Sequence, residues 1–147
     1  MFDVGRSFRA AVFWRLDATS WSARTTGFQL IAMAIHIDDY SFGRIVIDGE
    51  VYGNDLIILP ERVIPDWWRA QGHSLSPDDL EAVVTAAPAR LIIGTGSFGM
   101  MRVPPETLAY LRDKGIETEV LKTKEACARF NELAAPGEIA AALHLTC

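Results

Sequence analysis

From residue 78 onward, stretches of helical periodicity alternate with short apolar runs, and no other feature restricts the fold as much. Leu80, Val83, Val84 and Ala87 recur at i, i+3, i+4 and i+7, the spacing that gathers apolar side chains on one face of a helix. Ser76 is the natural N-cap, Pro77 suits the first turn, and Asp78 and Asp79 lie at the positive end of the helix dipole. Pro88 ends this helix. Leu91-Ile92-Ile93 then makes a short strand that runs into Gly94. A second helix opens at Pro104-Pro105-Glu106, buries Leu108 and Leu111, and stops at Gly115. Residues 116–121 form the next strand. Thr123 caps a third helix with Ala126, Cys127, Phe130 and Leu133 on its inner face; Pro136-Gly137 breaks it, and residues 139–145 form the last strand. Strands joined through helices in this way pair in parallel by right-handed crossovers, with the helices laid over the sheet.

Upstream the period changes. Ile35, Ile37 and Tyr40, then Ile45 and Ile47, alternate apolar with polar residues, and Asp48-Gly49 is a hairpin turn pair from which Val51-Tyr52 returns. Antiparallel strands with one solvated face are expected there. After Asn54-Asp55 the unbroken run Leu56-Ile57-Ile58-Leu59, closed by Pro60, reads as a more fully buried strand. Residues 63–73 are irregular, with Pro65, Trp67-Trp68 and Gly72. The fold class expected is therefore α/β, a three-layer sandwich with a mixed central sheet and extra antiparallel strands at the N-terminal side.

Residues 1–32 differ in kind: Arg6, Arg9, Arg15 and Arg24 stand against Asp3 and Asp17, a net of +2 that leaves −7 for residues 33–147. The chain is accordingly divided into an extension, 1–32, and one domain, 33–147. Three readings of the extension stay open. It is a mitochondrial transit peptide, or sequence upstream of a natural start at Met33, or a segment that packs on the domain through Phe8, Val12, Phe13, Trp14 and Trp21. With a formal net charge of −5, the chain lacks the basic excess that phosphate-neutralising contact with nucleic acid or an anionic membrane requires. No apolar run approaches the roughly 20 residues of a membrane span. Two cysteines, Cys127 and Cys147, and no CxxC or Cys/His cluster point to a reducing compartment without a metal site. A cytoplasmic location follows, with a mitochondrial one as the alternative if residues 1–32 are a targeting segment.

Taken in order, Tyr40-Ser41-Phe42-Gly43, Ile47-Asp48-Gly49, Tyr52, Asp55-Leu56-Ile57-Ile58, Trp68-Arg69, Gly72-His73, the strand from Leu91 to Gly94 with Thr95-Gly96, then Thr123, Ala126, Asn131 and the closing residues 141–147 form a recognisable pattern. The pattern resembles the Mth-938-like domain family, which includes mitochondrial complex I assembly factor three and the adipogenesis-associated Mth-domain protein. The resemblance implies a three-layer α/β fold with a mixed central sheet and extra antiparallel strands. It implies no reaction and no catalytic residues, and it points to protein assembly through partner contacts. Residues 1–32 do not match the family domain.

Several groups of residues are candidates for chemistry. Gly94-Thr95-Gly96-Ser97-Phe98-Gly99 follows a strand and satisfies GxGxxG, but residues 100–103 intervene before Pro104-Pro105 can open a helix, so the dipole is displaced from the glycines. A structural tight turn is the preferred reading, and no cofactor is expected. The same loop lies at the carboxyl end of a parallel strand, so Gly94, Thr95, Gly96, Thr123 and Asn131 are the candidate lining of a small-ligand or anion pocket. The preferred reading against this is that Thr123 is only a helix cap and Asn131 a solvated or locally bonded residue. His144 and Cys147 are too badly phased on a strand to make a nucleophile pair, and Cys127 reads as a small buried hydrophobe. Trp67, Trp68, Arg69 and His73 are candidate anchors of a partner surface, with domain packing as the competing role for the tryptophans. The expected function is a non-catalytic binding or assembly module with protein partners, homo-oligomers among them. The alternative is a small-ligand binder or enzyme at the loop 94–99 and Thr123.

Overall fold

The computed structural model describes residues 34–134 and 138–147. The extension at residues 1–32, its aromatic contacts and the helix break at Pro136-Gly137 lie outside the described residues. Strands β1 (Ile37–Ser41), β2 (Arg44–Ile47) and β3 (Glu50–Tyr52) form an antiparallel sheet of their own. Asp48 and Gly49 join β2 to β3 with φ of +49° and +82°, the pair of positive angles that a two-residue hairpin turn matched to strand twist requires.

The second sheet holds β4 (Leu56–Ile58), β5 (Val63–Ile64), β6 (Arg90–Thr95), β7 (Glu117–Leu121) and β8 (Ile139–His144) in the order β5-β4-β8-β6-β7. Strand β6 is parallel to both its neighbours, whereas β4 is antiparallel to β8 and β5. The sheet is therefore mixed. Helix α1 (Glu81–Ala86) precedes β6, α2 (Pro105–Asp113) carries the chain from β6 to β7, and α3 (Thr123–Leu133) carries it back past β6 to β8. Because these last two crossovers run in opposite directions, one hand of connection puts α2 and α3 on opposite faces.

The core follows that division. Leu56, Ile58, Ile92, Ala141 and Leu143 face Ala126, Cys127 and Phe130 of α3 together with Ile37, Ile45 and Ile47 of the small sheet. Their alternate neighbours Ile57, Leu91, Ile93, Ala140 and Ala142 face Leu80, Val83, Leu111, Trp67 and Met101. A period of two along each strand thus feeds both layers, which is why β4 and the central residues of β6 and β8 are apolar on both faces.

Local details depart from the sequence reading. The first helix begins as a 3-10 turn, Pro77–Leu80, with the Asp79 carboxylate accepting the backbone N–H and the hydroxyl of Ser76, each at 2.9 Å. Ala87, expected on the inner stripe, is exposed, and its left-handed φ of +51° ends α1. On α2 the fully buried partner of Leu111 is Thr107 rather than Leu108, because the Thr107 hydroxyl has the Leu75 carbonyl to donate to, at 2.8 Å.

Strand β8 carries three successive alanines, Ala140 to Ala142, all fully buried between the two layers. Alanine has little strand preference of its own, so these positions are set by the room available. Ala141→Leu is expected to destabilise the domain by about 1–3 kcal/mol through overpacking. Val120→Thr, at a 41% exposed position of the edge strand β7, should stay within about 0.5 kcal/mol. Urea unfolding midpoints check both.

Candidate functional site

The loop after β6 lies where the parallel strands end, and its glycines are required by close approach. A Cβ on Gly94 would come within 2.9 Å of both Leu143 Cδ2 and Thr123 Oγ1. Gly96, with φ of +108°, would bring a Cβ to 2.2 Å from the Cys147 carbonyl carbon. Thr95 Oγ1 donates to the Leu121 carbonyl at 3.1 Å. Thr123 is fully buried as the first residue of α3, not its cap; the cap position is Lys122. Its hydroxyl instead accepts the Gly96 N–H at 2.8 Å and donates to the His144 carbonyl at 2.6 Å.

The remaining amides of the loop are also committed. Ser97 N–H donates to the Thr146 carbonyl at 2.6 Å, and those of Phe98 and Met100 donate to the Cys147 carbonyl at 3.2 and 3.0 Å. Tyr40 Oη donates to the Leu145 carbonyl at 2.8 Å, which leaves the Ser97 hydroxyl to donate to Tyr40. Gly94, Thr95, Gly96 and Thr123 are thus brought together, with their polar groups turned inward on the chain. Asn131 is elsewhere. Its side chain accepts the Ile37 N–H at 3.0 Å and donates to the Ile37 carbonyl at 2.8 Å, pinning β1 to α3.

A second convergence lies beside this loop. Asp55, just before β4, meets Arg69 from the irregular segment and His144 from the end of β8. Asp55 Oδ2 accepts Arg69 Nη2 and His144 Nδ1, both at 2.8 Å, while Oδ1 accepts the Leu145 N–H at 2.7 Å. Burial opposes ionisation of Asp55, but the hydrogen bonds from His144, Leu145 and Arg69 outweigh it and hold the carboxyl below its ordinary value of 3.8. An ionised Asp55 makes His144 Nδ1 the protonated nitrogen, and Nε2 is left buried without a hydrogen-bond partner. A carboxylate that fixes an imidazole tautomer is one half of a nucleophile-activating arrangement. The other half is missing among the described residues, since no hydroxyl or thiol bonds Nε2. Burial pushes the Cys127 thiol up to about 12, far from a thiolate at neutral pH. No group of three or more His, Cys, Asp and Glu able to hold a metal ion is found among the described residues.

Two of the four anchors expected on a partner surface are inside. The Trp67 ring is buried, its Nε1 donating to the Asp79 carbonyl at 2.9 Å, and Arg69 stacks its guanidinium carbon 4.7 Å from the ring centroid. The Arg69 side chain is 5% exposed, because Nε and Nη2 also reach the Gly72 carbonyl. Trp68 by contrast is 84% exposed, and His73 is exposed with its ring edge-on to His144 at 5.7 Å. Asn54, Asp66, Trp68, Arg69, Gly72 and Thr146 line a pocket of about 250 Å³. Phe42 and Phe98 stand exposed next to one another, ring centroids 6.1 Å apart. Spacing does not single out Asp55 and His144 as a pair, for Arg69 lies 14 residues from one and 75 from the other. The available signal is an arginine after two tryptophans, which needs a counterion once buried.

The family model described as "Protein of unknown function (DUF498/DUF598)" matches residues 37–144. The chain belongs to this family. Within it the chain is similar to the mouse protein named NADH dehydrogenase [ubiquinone] 1 alpha subcomplex assembly factor 3, at 30% identity over 112 residues. That stretch is 74% of this chain and 59% of the mouse protein, so the chain spans only part of the relative. Among solved structures, the conserved hypothetical protein PH1505 from Pyrococcus horikoshii OT3 superposes with a TM-score of 0.65 at 30% identity, covering 76% of this chain and 98% of that one. A Bordetella pertussis protein described as a Mth938-like domain gives 0.54 at 20% identity over 90% of this chain and 92% of its own, which supports the fold alone. The DUF498/DUF598 match begins with β1 and ends with β8, so it contains Asp55, Arg69 and His144.

Since the folded pKa of Asp55 lies below its unfolded one, the stability it contributes is present above the unfolded value and is lost as pH falls through the folded value. Stability is expected to drop below about pH 4. Asp55→Asn should flatten that decline and cost about 3–5 kcal/mol at neutral pH by leaving Arg69 buried without its carboxylate. Denaturant melts of both proteins across the acid range provide the check.

Proposed function

We propose that this DUF498/DUF598 chain is a non-catalytic binding module of the assembly-factor kind, acting through protein partners. Its setting on this reading is the cytoplasm, or the mitochondrion if residues 1–32 direct it there. The observation that carries the reading is an exposed aromatic face at one end of the domain. Phe42 is 57% exposed, Phe98 68%, Met100 56% and Trp68 84%. All four belong to loops tied to the segment after β8: Gly43 N–H bonds the Leu145 carbonyl, Phe98 and Met100 bond Cys147, and Trp68 shares a pocket with Thr146. Large apolar side chains gathered at one end of a domain mark contact surfaces, and aromatic residues are the usual anchors of such contacts.

The name of the mouse relative, an assembly factor, supports the same reading. A ligand site at the loop 94–99 and Thr123 has less support, because the amides that would face a ligand already bond residues 146 and 147. The partner anchors proposed are accordingly the exposed Trp68 and His73, extended to Phe42 and Phe98, while Trp67 and Arg69 are buried. Affinity capture from native extract should return one or more defined proteins, a second copy of the chain among them, with wild type. Both Phe98→Ser and Trp68→Ala should lose them. Capture of the same proteins in the same amounts by all three baits would reject the module.

A further inference from the structure

We propose that the pocket beside Arg69 is a binding site for a monocarboxylate with an apolar body. Arg69 uses Nε and Nη2 on Gly72 and Asp55, but Nη1 has no hydrogen-bond partner in the protein although the side chain is only 5% exposed. A buried donor left without an acceptor is destabilising, more so when the group is charged. The same cluster holds a second orphan, His144 Nε2, on a side chain 7% exposed. With its Nδ1 proton directed at Asp55, His144 Nε2 is an acceptor, so an anionic ligand completes the bonding of Arg69 Nη1 alone.

The adjoining space has the right size and character. Arg69 forms part of the wall of the pocket of about 250 Å³, with the two tryptophans and the carboxylates of Asp55 and Asp66 beside it. A cavity of about 150 Å³ suffices for benzene, so a ring or short aliphatic body fits. The free edge of a guanidinium favours an anionic oxygen, since charge-assisted bonds are roughly twice as strong as neutral ones. The neighbouring carboxylate does not already satisfy that edge, because Asp55 spends its two oxygens on Arg69 Nη2, His144 and Leu145. Asp66, on the same wall and bonded to Asn54 Nδ2, disfavours a second negative charge. A monocarboxylate is thereby preferred to a phosphate. Nη1 is closed to solvent, so entry displaces part of the wall. Trp68, 84% exposed, is the lining residue least held by packing, and its ring can close over an apolar body.

The site goes beyond the partner reading and is tested without it. Benzoate, with benzamide as its uncharged isostere, is titrated into the isotopically labelled full chain and followed by amide and indole NMR shifts. Benzoate should cause saturable shifts at Gly53, Gly72, Thr146 and the Trp68 indole, with a Kd on the order of 1 mM. Benzamide should bind about 10-fold more weakly. Trp68→Ala should weaken benzoate about 3- to 10-fold, and Arg69→Lys should abolish saturation. Arg69 also closes Asp55, so if Arg69→Lys unfolds, Trp68→Ala at its exposed position keeps the test decisive. Absence of saturable shifts with benzoate, equal binding of benzamide, or unchanged binding by Trp68→Ala overturns the proposal. A further arm adds a blocked acetyl-phenylalanyl-glutamic acid amide. Tighter binding of benzoate supports a free small acid as the source, and tighter binding of the peptide supports an acidic side chain of a protein. Failure here leaves the capture result with Phe98→Ser untouched, so the two readings fall separately.

Discussion

The strand latest in the chain is the one on which the sheet depends. Strand β8 lies between β4 and β6, antiparallel to the first and parallel to the second, and so joins the early half of the domain to the α/β half. Its own residues are small, and both layers close down on them. At its carboxyl end the backbone is clasped on every side: Thr123 takes the His144 carbonyl, Tyr40 and Gly43 take Leu145, and Asp55 takes the Leu145 amide and the His144 ring. Each candidate site described above borders this clasp. The loop 94–100, the aromatic face and the Arg69 pocket are positioned by one strand end, so their geometries are coupled through it.

The alternation of helices and strands, the hairpin at Asp48-Gly49 and the mixed sheet were legible in the sequence, because periodicity and turn chemistry are local. What escaped it were polar residues whose partners are distant backbone. Thr107, Thr123 and Asn131 resemble surface or capping residues by type, yet each completes a hydrogen bond to another element: Leu75, His144 and Ile37 respectively. No spacing rule encodes such pairs. The aromatic pair Trp67-Trp68 shows the same limit from the other side, since the two lie in an irregular segment where no periodicity assigns a face. One ring enters the core and the next stands in solvent, and composition alone offers no means of choosing between them.

The glycine-rich bend illustrates how a motif can be present for reasons of space. Gly94 lets Thr123 and Leu143 approach, and Gly96 lets residue 147 lie against the bend. The spacing of a dinucleotide fingerprint arises here from two independent close contacts. Its amides point at protein carbonyls where a fingerprint would point them at pyrophosphate. The late start of the following helix already marks the segment as a turn, and the structure adds what occupies the bend.

The central placement of β8 also has a consequence for biosynthesis. Until residue 144 has cleared the ribosome, β4 and β6 have no strand between them, and the inner faces of α3 and of the small sheet lack much of the surface they pack on. Most of the nascent domain must therefore wait with its greasy strands uncovered, in a state prone to aggregation and of interest to chaperones. Closure then comes as a late, cooperative event, with β8 entering a gap already flanked on both sides.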